Sequence, residues 1–378
     1  MSFTASPVYL GLAATSYSTS NRIMVPFYVY YSMFGFQRIG DLAWAAGDMQ
    51  ARGFLLGGTS GRTTLNGEGL QHEDGHSHIL AGTIPNCVSY DPTFAHEVGV
   101  ILHHGLKRMV EKQDNVYYYL TLLNENYAMP GLTPGTEEQI IKGMYLCKPG
   151  PKAKAKGKDL RVQLMGSGTI LREAIAAQTL LATDWGIASD VWSCPSFNEL
   201  ARDGQNAERH NLLNPTAEPM VPFVARQLAG HEGPVVASTD YMKIFADQIR
   251  PFIPRDRVYK VLGTDGFGRS DSRAKLRHFF EVNRYFVAVA ETLRARHTLR
   301  GAVADFRSDP EETTVAWKGP GYAADAVIVR RTGRYRLTVA RHGLVDILND
   351  LHKGRDTAWA VRVASRSARS RAAPSRRS

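Results

Sequence analysis

The segment Asn115–Glu125, NVYYYLTLLNE, is a near-continuous apolar run of strand length. Such a run is typical of a strand in a parallel sheet that is covered on both faces. Before it, Thr93–Glu111 carries apolar residues at the spacing of a helix with one buried face. The preceding NCVSYDP predicts a strand, with Asp91 as helix N-cap and Pro92 as first helical residue. Strand, helix and strand therefore follow one another here.

The second half of the chain repeats this alternation. Strand patterns occur in VQLMGSG, ASDVWSC, PVVASTD and VYKVLGTDG, and helical patterns lie between them, as in Thr169–Trp185. The succession predicts an α/β fold with two mostly parallel open sheets. The turn Gly166-Ser167-Gly168 fits either a phosphate cradle or a tight strand-to-helix connection, and the second is the commoner use.

Composition and length suit two domains. The chain has 378 residues, of which 43% are hydrophobic. A stretch rich in Lys, Gly and Pro at 147–160 predicts a linker between a first domain at 1–146 and a second at 161–300. Three distant cysteines indicate reduced thiols and a cytoplasmic protein. No long apolar run predicts a signal peptide or a membrane span.

The positive charge is concentrated at one end. The net charge is +10, yet residues 301–378 hold 15 Lys+Arg against 8 Asp+Glu, so the rest is nearly balanced. The last 18 residues contain six arginines and no acid, which predicts disorder. A basic tail binds polyanions non-specifically, and nothing here predicts a specific nucleic-acid partner.

A glycine-rich loop at 57–78 gathers acids and histidines. It contains His72-Glu73-Asp74-Gly75-His76, which satisfies the H-E-x-x-H pattern of zinc metalloproteases. That chemistry needs a helix, whereas five glycines between Gly57 and Gly69 favour a loop that approaches a ligand. We therefore expect no zinc site, and we expect acid–base or binding chemistry in the loop. Surface histidines with structural hydrogen bonds are the alternative.

Longer motifs resemble a known family. Pro26–Pro92, YYYLTLLNENYAMPG, SFNELARDGQNAERHN and VLGTDGFGRSDSRAKLRHFFEVNRYFVAVA resemble the homodimeric-type pyruvate dehydrogenase, the first component of the pyruvate dehydrogenase complex. The resemblance extends from about Leu12 to about Arg296. It implies a transketolase-like fold, with a pyrimidine-binding middle domain at 1–146 and a C-terminal domain at 161–300.

The resemblance also implies the chemistry. Thiamine diphosphate would promote loss of carbon dioxide from pyruvate, and the acetyl group would pass to the lipoyl domain of dihydrolipoyl acetyltransferase. Magnesium would hold the diphosphate, with ligands on a domain outside this chain. The chain would act in the bacterial cytoplasm as a homodimer with no membrane partner, and a separate chain is a possible source of the missing domain.

Four residues match the family's site motifs. In YYSMFGF, the resemblance implies that Tyr31 and Phe34 lie beside the aminopyrimidine ring, where aromatic side chains exclude water. In NGEGLQHEDGHSH it implies that Glu68 and His72 lie in the catalytic centre, where a histidine can donate to a developing oxyanion. For Tyr28 and Phe36 a core position is the better interpretation, and His76 and His78 are weaker candidates.

Both ends depart from the family. The glutamate that activates the aminopyrimidine would fall near Phe3, where MSFTASPVYLGL has no acid. The chain therefore resembles the C-terminal part of such an enzyme, from a split or truncated gene. Residues 301–378 form a divergent basic tail, in which the sequence after about Val315 resembles a segment of PepSY-associated bacterial membrane proteins. A fusion or a frame error explains both ends, and an ordinary divergent extension is the alternative.

These departures leave two functions open. The first is a thiamine-dependent pyruvate dehydrogenase, with the cofactor's other contacts supplied by another polypeptide. The second is a catalytically inactive fragment that retains only its folded dimerisation domains.

Overall fold

The structure is a computed structural model, and it describes residues 23–151, 161–290, 302–308, 311–319, 322–329 and 334–341. The strands are β1 Phe27–Tyr31, β2 Phe54–Gly58, β3 Cys87–Tyr90, β4 Tyr117–Thr121, β5 Tyr145–Lys148, β6 Arg161–Gly166, β7 Ala188–Ser193, β8 Val235–Ser238, β9 Tyr259–Leu262, β10 Ala302–Ser308, β11 Glu312–Gly319, β12 Tyr322–Val329 and β13 Arg334–Arg341. The α-helices are α1 Phe36–Asp48, α2 Ser77–Gly82, α3 Ala95–Leu106, α4 Glu137–Ile141, α5 Ile170–Trp185, α6 Phe197–Leu213, α7 Phe223–Leu228, α8 Lys243–Asp247 and α9 Arg273–Phe279.

The first sheet is parallel, in the order β1-β2-β4-β3. Its strand β4 is the apolar run seen in the sequence, and all five residues are buried. Tyr117 and Tyr119 pack with α1 and α2 on one face, whereas Tyr118 and Leu120 pack with α3 on the other. The prediction of a parallel strand covered on both faces is confirmed.

The start of α3 differs from the prediction. The helix begins at Ala95, and the Glu97 carboxyl accepts hydrogen bonds from the N–H groups of Thr93 and Phe94. Asp91 is not the N-cap, because its carboxyl accepts from the hydroxyls of Thr121 and Ser167 instead. The N-cap prediction was therefore wrong: this aspartate serves tertiary contacts.

The second sheet has the order β5-β7-β6-β8-β9, with all pairs parallel except β5 with β7. Strand β5 contains Cys147 and Lys148, so the boundary expected after Leu146 falls inside this strand. The sequence pattern did not reveal this strand, because an edge strand of four residues carries little periodicity. Residues 152–160 of the expected linker lie outside the described residues.

The turn after β6 is a tight connection to α5. A Cβ on Gly166 would lie 2.6 Å from the Leu171 Cα, and Gly168 has φ +48°. A Cβ on Gly168 would lie 2.5 Å from the Asp91 carboxyl. The Asp91 carboxyl therefore faces this turn. Because of that, the turn is better interpreted as a tight strand-to-helix connection than as a phosphate cradle.

The described residues form two compact units, those within 1–180 and 187–288 and those within 181–186 and 289–378. The first contains both of the sheets described above. In the second, β10 to β13 form an antiparallel sheet in sequence order, which the sequence analysis did not predict. Its buried residues include Val315, Trp317 and Ile328. The predicted disordered end, residues 361–378, lies outside the described residues. Within the described part, no helix is long and apolar enough to cross a membrane.

Candidate functional site

Three of the four site residues predicted from the sequence meet in one ring cluster. The His72 ring centroid lies 5.4 Å from that of Tyr31 and 5.2 Å from that of Phe34, in edge-on geometry. The Tyr31 and Phe34 rings are 6.0 Å apart. We call Tyr31, Phe34 and His72 the ring cluster. Tyr31 is 53% exposed, so one side of the cluster is open.

The ring cluster lies at the carboxyl end of β1, where open parallel sheets commonly bind ligands. Tyr31 is the last residue of β1, and Phe34 ends the 3-10 turn that follows it. This turn packs closely on β2, since a Cβ on Gly57 would lie 2.9 Å from the Ser32 Cβ. His72 ends a second 3-10 turn, Leu70–His72. Residues distant in sequence are therefore brought together by main-chain turns.

The H-E-x-x-H segment does not have metalloprotease geometry. Glu73 is extended, with φ −89° and ψ 99°, and α2 begins only at Ser77. His72 and His76 therefore do not lie one helical turn apart. Among the described residues, no group of three or more His, Cys, Asp or Glu side chains is arranged to hold a metal ion.

Glu68 is the fourth predicted site residue. It is exposed, in the loop before the 3-10 turn that carries His72. Its carboxyl makes no hydrogen bond or ion pair with another residue in the described ranges. The structure thus leaves the Glu68 carboxyl open to solvent or to a ligand.

The loop is built around a buried arginine that the sequence analysis missed. Arg62 is 1% exposed, and its Nη2 lies 3.1 Å from His76 Nδ1. Burial lowers the Arg62 pKa, although nearby carboxylates, Asp74 first among them, act to raise it. A Cβ on Gly75 would lie 2.1 Å from Arg62 Nε, so glycine makes room for the guanidinium. Burial also lowers the His76 pKa.

Asp74 fixes the start of α2. Its Oδ1 accepts hydrogen bonds from the N–H groups of His76 and Ser77, each at 3.0 Å, and from Gln37 Nε2 of α1. A carboxylate at a helix N-terminus satisfies N–H groups that have no partner within the helix. The two helices on one face of the first sheet are thereby tied to the loop.

His78 belongs to the core. It is fully buried against Tyr119, Tyr241 and Phe245, and burial lowers its pKa to about 3. Its Nε2 lies 3.0 Å from Thr121 Oγ1. A neutral structural histidine results. Phe36 is also buried, and Tyr28 packs against the hydrophobic cluster that contains Phe36, as expected.

Thr121 links His78 to a buried series of hydrogen-bonded polar groups. Its hydroxyl donates to Asp91 Oδ1 at 2.7 Å, and the Ser167 hydroxyl donates to Asp91 Oδ2 at 2.9 Å. Burial raises the Asp91 pKa to about 7, despite these two hydrogen bonds. Asp240 behaves alike: burial raises its pKa to about 7, although the Thr63 N–H donates to it.

Glu73 follows His72 and is 1% exposed. Its Oε2 accepts a hydrogen bond from the Arg269 N–H at 2.6 Å. Burial raises the Glu73 pKa to about 7, against this hydrogen bond and the charge of Arg62. The loop that presents His72 is therefore held by the segment that follows β9 of the second sheet.

Arg277 of α9 is the centre of a second polar network. Its guanidinium donates to Glu125 and Thr169, and lies 3.3 Å from Glu173. Arg172 also pairs with Glu125, at 2.7 Å. Burial acts to raise the Glu125 pKa, but hydrogen bonds from Arg277 and Arg172 outweigh it and lower the pKa. Local sequence carries no signal for these partners, because 152 residues separate Glu125 from Arg277.

Three family models match the chain. Residues 4–130 match the pyruvate dehydrogenase E1 component middle domain, and residues 143–283 match the transketolase-like C-terminal domain. Residues 271–363 match a putative PepSY_TM-like family. The last match confirms the PepSY resemblance and starts earlier than the sequence analysis placed it.

Curated relatives and solved structures agree with these matches. The pyruvate dehydrogenase E1 component of Cupriavidus necator is 58% identical over 307 residues, 79% of this chain and 34% of that protein. The Escherichia coli K12 component is 63% identical over 279 residues, 74% of this chain and 31% of that protein. A Leishmania mexicana transketolase has TM-score 0.52 at 16% identity, covering 73% of this chain and 34% of that one. A structure titled "Split gene transketolase, inactive beta4 tetramer" has TM-score 0.52 at 15% identity, covering 78% of this chain and 82% of that one.

The two mostly parallel sheets and their matches define a transketolase-like α/β protein, as predicted. Over the residues that the first two family models match, the chain is similar to pyruvate dehydrogenase E1 components. It corresponds there to the middle and C-terminal domains. The chain spans about a third of the length of the curated relatives it matches.

Proposed function

We propose that this chain supplies the aminopyrimidine-binding part of a thiamine diphosphate-dependent pyruvate dehydrogenase. The reaction would be oxidative decarboxylation of pyruvate, with acetyl transfer to the lipoyl domain of dihydrolipoyl acetyltransferase in the bacterial cytoplasm. The observation that carries the proposal is the ring cluster, which brings together Tyr31, Phe34 and His72 in a chain related to pyruvate dehydrogenase E1 components.

The ring cluster suits a planar, partly polar ring. Tyr31 and Phe34 offer aromatic surface that would pack an aminopyrimidine and exclude water from it, and Tyr31 is half exposed for that contact. When bound, thiamine diphosphate would supply the carbanion chemistry for loss of carbon dioxide from a 2-oxo acid.

His72 and Glu68 would serve proton transfer and charge stabilisation. The His72 ring is held by two aromatic neighbours, and such packing restricts its orientation toward a bound substrate. A ring nitrogen of His72 would donate a hydrogen bond to the oxygen that develops negative charge. The exposed Glu68 carboxyl would exchange a proton with the substrate or with solvent.

The described residues offer no set of ligands for the magnesium ion that would hold the diphosphate. No group of three metal-ligating side chains occurs in those ranges. The position near Phe3, where the family has its activating glutamate, lies outside them. We therefore propose that a further domain, on the same or a separate chain, supplies the ligands for Mg²⁺ and completes the site.

An exposed apolar stripe on β1 supports a covering domain. Phe27, Val29 and Tyr31 project from the same face of this strand and are 50%, 62% and 53% exposed. The stripe leads directly into the ring cluster. Contiguous apolar surface of this kind marks interaction sites in folded proteins. The covering surface would come from the missing domain or from the second subunit of a homodimer.

The test is calorimetric titration with thiamine diphosphate and Mg²⁺. We expect weak or no binding to the chain alone. Saturable binding should follow after addition of the part of the C. necator relative that lies outside the match, together with acetyl transfer from pyruvate. Tyr31→Ala should lower the affinity of that mixture about tenfold, since loss of one aromatic contact costs about 0.5–1.5 kcal/mol or more.

Trp44→Ala is the matched control. Trp44 is an aromatic residue of α1 that is 48% exposed, and it takes no part in the ring cluster. Its substitution should leave the affinity unchanged. Equal losses in both variants would contradict the assignment of the ring cluster.

A catalytically inactive fragment is the second candidate. It is favoured by the open ring cluster and by the split-gene transketolase structure, whose title describes an inactive tetramer. The absence of thiamine diphosphate binding even with the added domain would support this candidate over the enzyme.

A further inference from the structure

The main chain around His72 is fastened to a segment more than 190 residues away. We call Phe267–Asp271 the anchor segment. The Arg269 N–H donates to Glu73 Oε2 at 2.6 Å, and the sequence separation is 196 residues. The Gly67 N–H donates to the Asp271 carbonyl at 3.0 Å. The loop is thus held on both sides of His72.

The contact is also sterically tight. A Cβ on Gly268 would lie 2.7 Å from the Glu73 Cβ and 2.8 Å from the Leu70 carbonyl oxygen. Real side chains do not approach so closely, so only glycine at this position lets the loop reach the anchor segment. The steric fit at Gly268 and the hydrogen bonds therefore both hold the loop against the anchor segment.

Burial of a carboxyl at this position is costly. Glu73 is 1% exposed, and its Oε1 has no hydrogen-bond partner within the described part of the chain. An apolar side chain would fill the same space without that cost. Besides its attraction to the charge of Arg62, the carboxyl provides what an apolar side chain lacks, an acceptor for the Arg269 N–H.

We propose that Glu73 is a positioning residue, which fixes the main chain of the neighbouring His72 by accepting the hydrogen bond from Arg269. Glu73 acts through the main chain of His72. The inference rests on the proposed function, because the position of His72 matters for catalysis only if His72 lies in a catalytic centre.

Two measurements on the full chain test this role. Hydrogen exchange reports the Arg269 N–H, and we expect Glu73→Ala to accelerate its exchange at least about tenfold. Acylation by diethyl pyrocarbonate, followed by mass spectrometry, reports access to the His72 ring. We expect His72 to be acylated several times faster in the Glu73→Ala variant, because the ring leaves its place beside Tyr31 and Phe34.

Internal references separate positioning from loss of fold. His78 is fully buried, and it should stay unreactive in Glu73→Ala. Glu73→Gln keeps a carbonyl acceptor and should restore most of the protection of both Arg269 and His72. Gln71→Ala, an exposed neighbour on the other side of His72, should behave as the unchanged chain.

Unchanged acylation of His72 in Glu73→Ala would overturn the proposal. If His78 becomes reactive as well, Gly268→Ala decides, because its new methyl group pushes Glu73 and the Leu70 carbonyl away from the anchor segment and keeps the carboxyl. Faster acylation of His72 alone in that variant supports positioning, and no change refutes it. Neither readout uses thiamine diphosphate, so the result stands apart from the calorimetric test of the proposed function.

Discussion

Asp91 shows how one buried carboxyl makes stability depend on pH. Burial raises its pKa to about 7 in the folded chain, above the ordinary value of 3.8. The folded state therefore binds a proton more tightly than the unfolded state does. The stabilisation from this group is complete below pH 4 and is lost as the pH rises toward 7.

We expect Asp91→Asn to remove that loss. Relative to the unchanged chain, the free energy of unfolding of the variant should rise between pH 5 and pH 7, by up to about 1.4 kcal/mol per pH unit. Urea denaturation at several pH values measures this difference. Glu232→Gln, at an exposed carboxyl, is the control and should show a constant difference. A constant difference for Asp91→Asn as well would show that Asp91 does not titrate in this range.

Local residue types predicted the elements around the site, but not its polar partners. The apolar run of β4 and the glycine-rich loop could be read directly, and the family motifs pointed to the residues of the ring cluster. Asp91 was misread because an aspartate before proline has the local pattern of a helix start. Its actual partner Ser167 lies 76 residues away, and local sequence has no means of indicating such a bond.

The connection between β6 and α5 depends on a close approach of two main-chain segments. Because a Cβ on Gly166 would lie 2.6 Å from the Leu171 Cα, the added methyl group of Gly166→Ala must push backbone against backbone. We expect a loss of about 1–3 kcal/mol in the free energy of unfolding. Urea denaturation at neutral pH is the measurement.

Gly99→Ala is the matched control for this element. Gly99 lies in α3 with open space around the position of a Cβ. Alanine favours helix more than glycine does, so this variant should be more stable by about 0.5–1 kcal/mol. A gain in the free energy of unfolding in both variants would mean that the close approach at Gly166 relaxes without cost.

Across the whole first unit, Arg277 links the segment after β4 with α5 and α9. It is 7% exposed, and its partners include Glu125 and Glu173. Removing one partner of a buried ion pair leaves the others uncompensated, and it typically costs about 3–5 kcal/mol. We expect Arg277→Ala to lower the free energy of unfolding by about 3 kcal/mol. The exposed Arg209→Ala should change it by less than about 0.5 kcal/mol.

The deficit of Arg277→Ala should shrink in acid. The Glu125 pKa is lowered in the folded chain, so the stabilisation from its pairing is present at neutral pH and is lost as the pH falls through that pKa. Calorimetric unfolding of both proteins at pH 7 and pH 3 measures the change. A deficit that stays the same at both values would place the cost in packing rather than in the charge pair.

Strand β1 lies at the edge of the first sheet among the described strands, with its apolar stripe half exposed. An open edge with apolar side chains is a template on which other chains can add strands. A cell that made this polypeptide without its covering surface would have to keep it from aggregating. The yield of soluble protein, with and without the added domain, would therefore reveal the assembly before any enzyme assay.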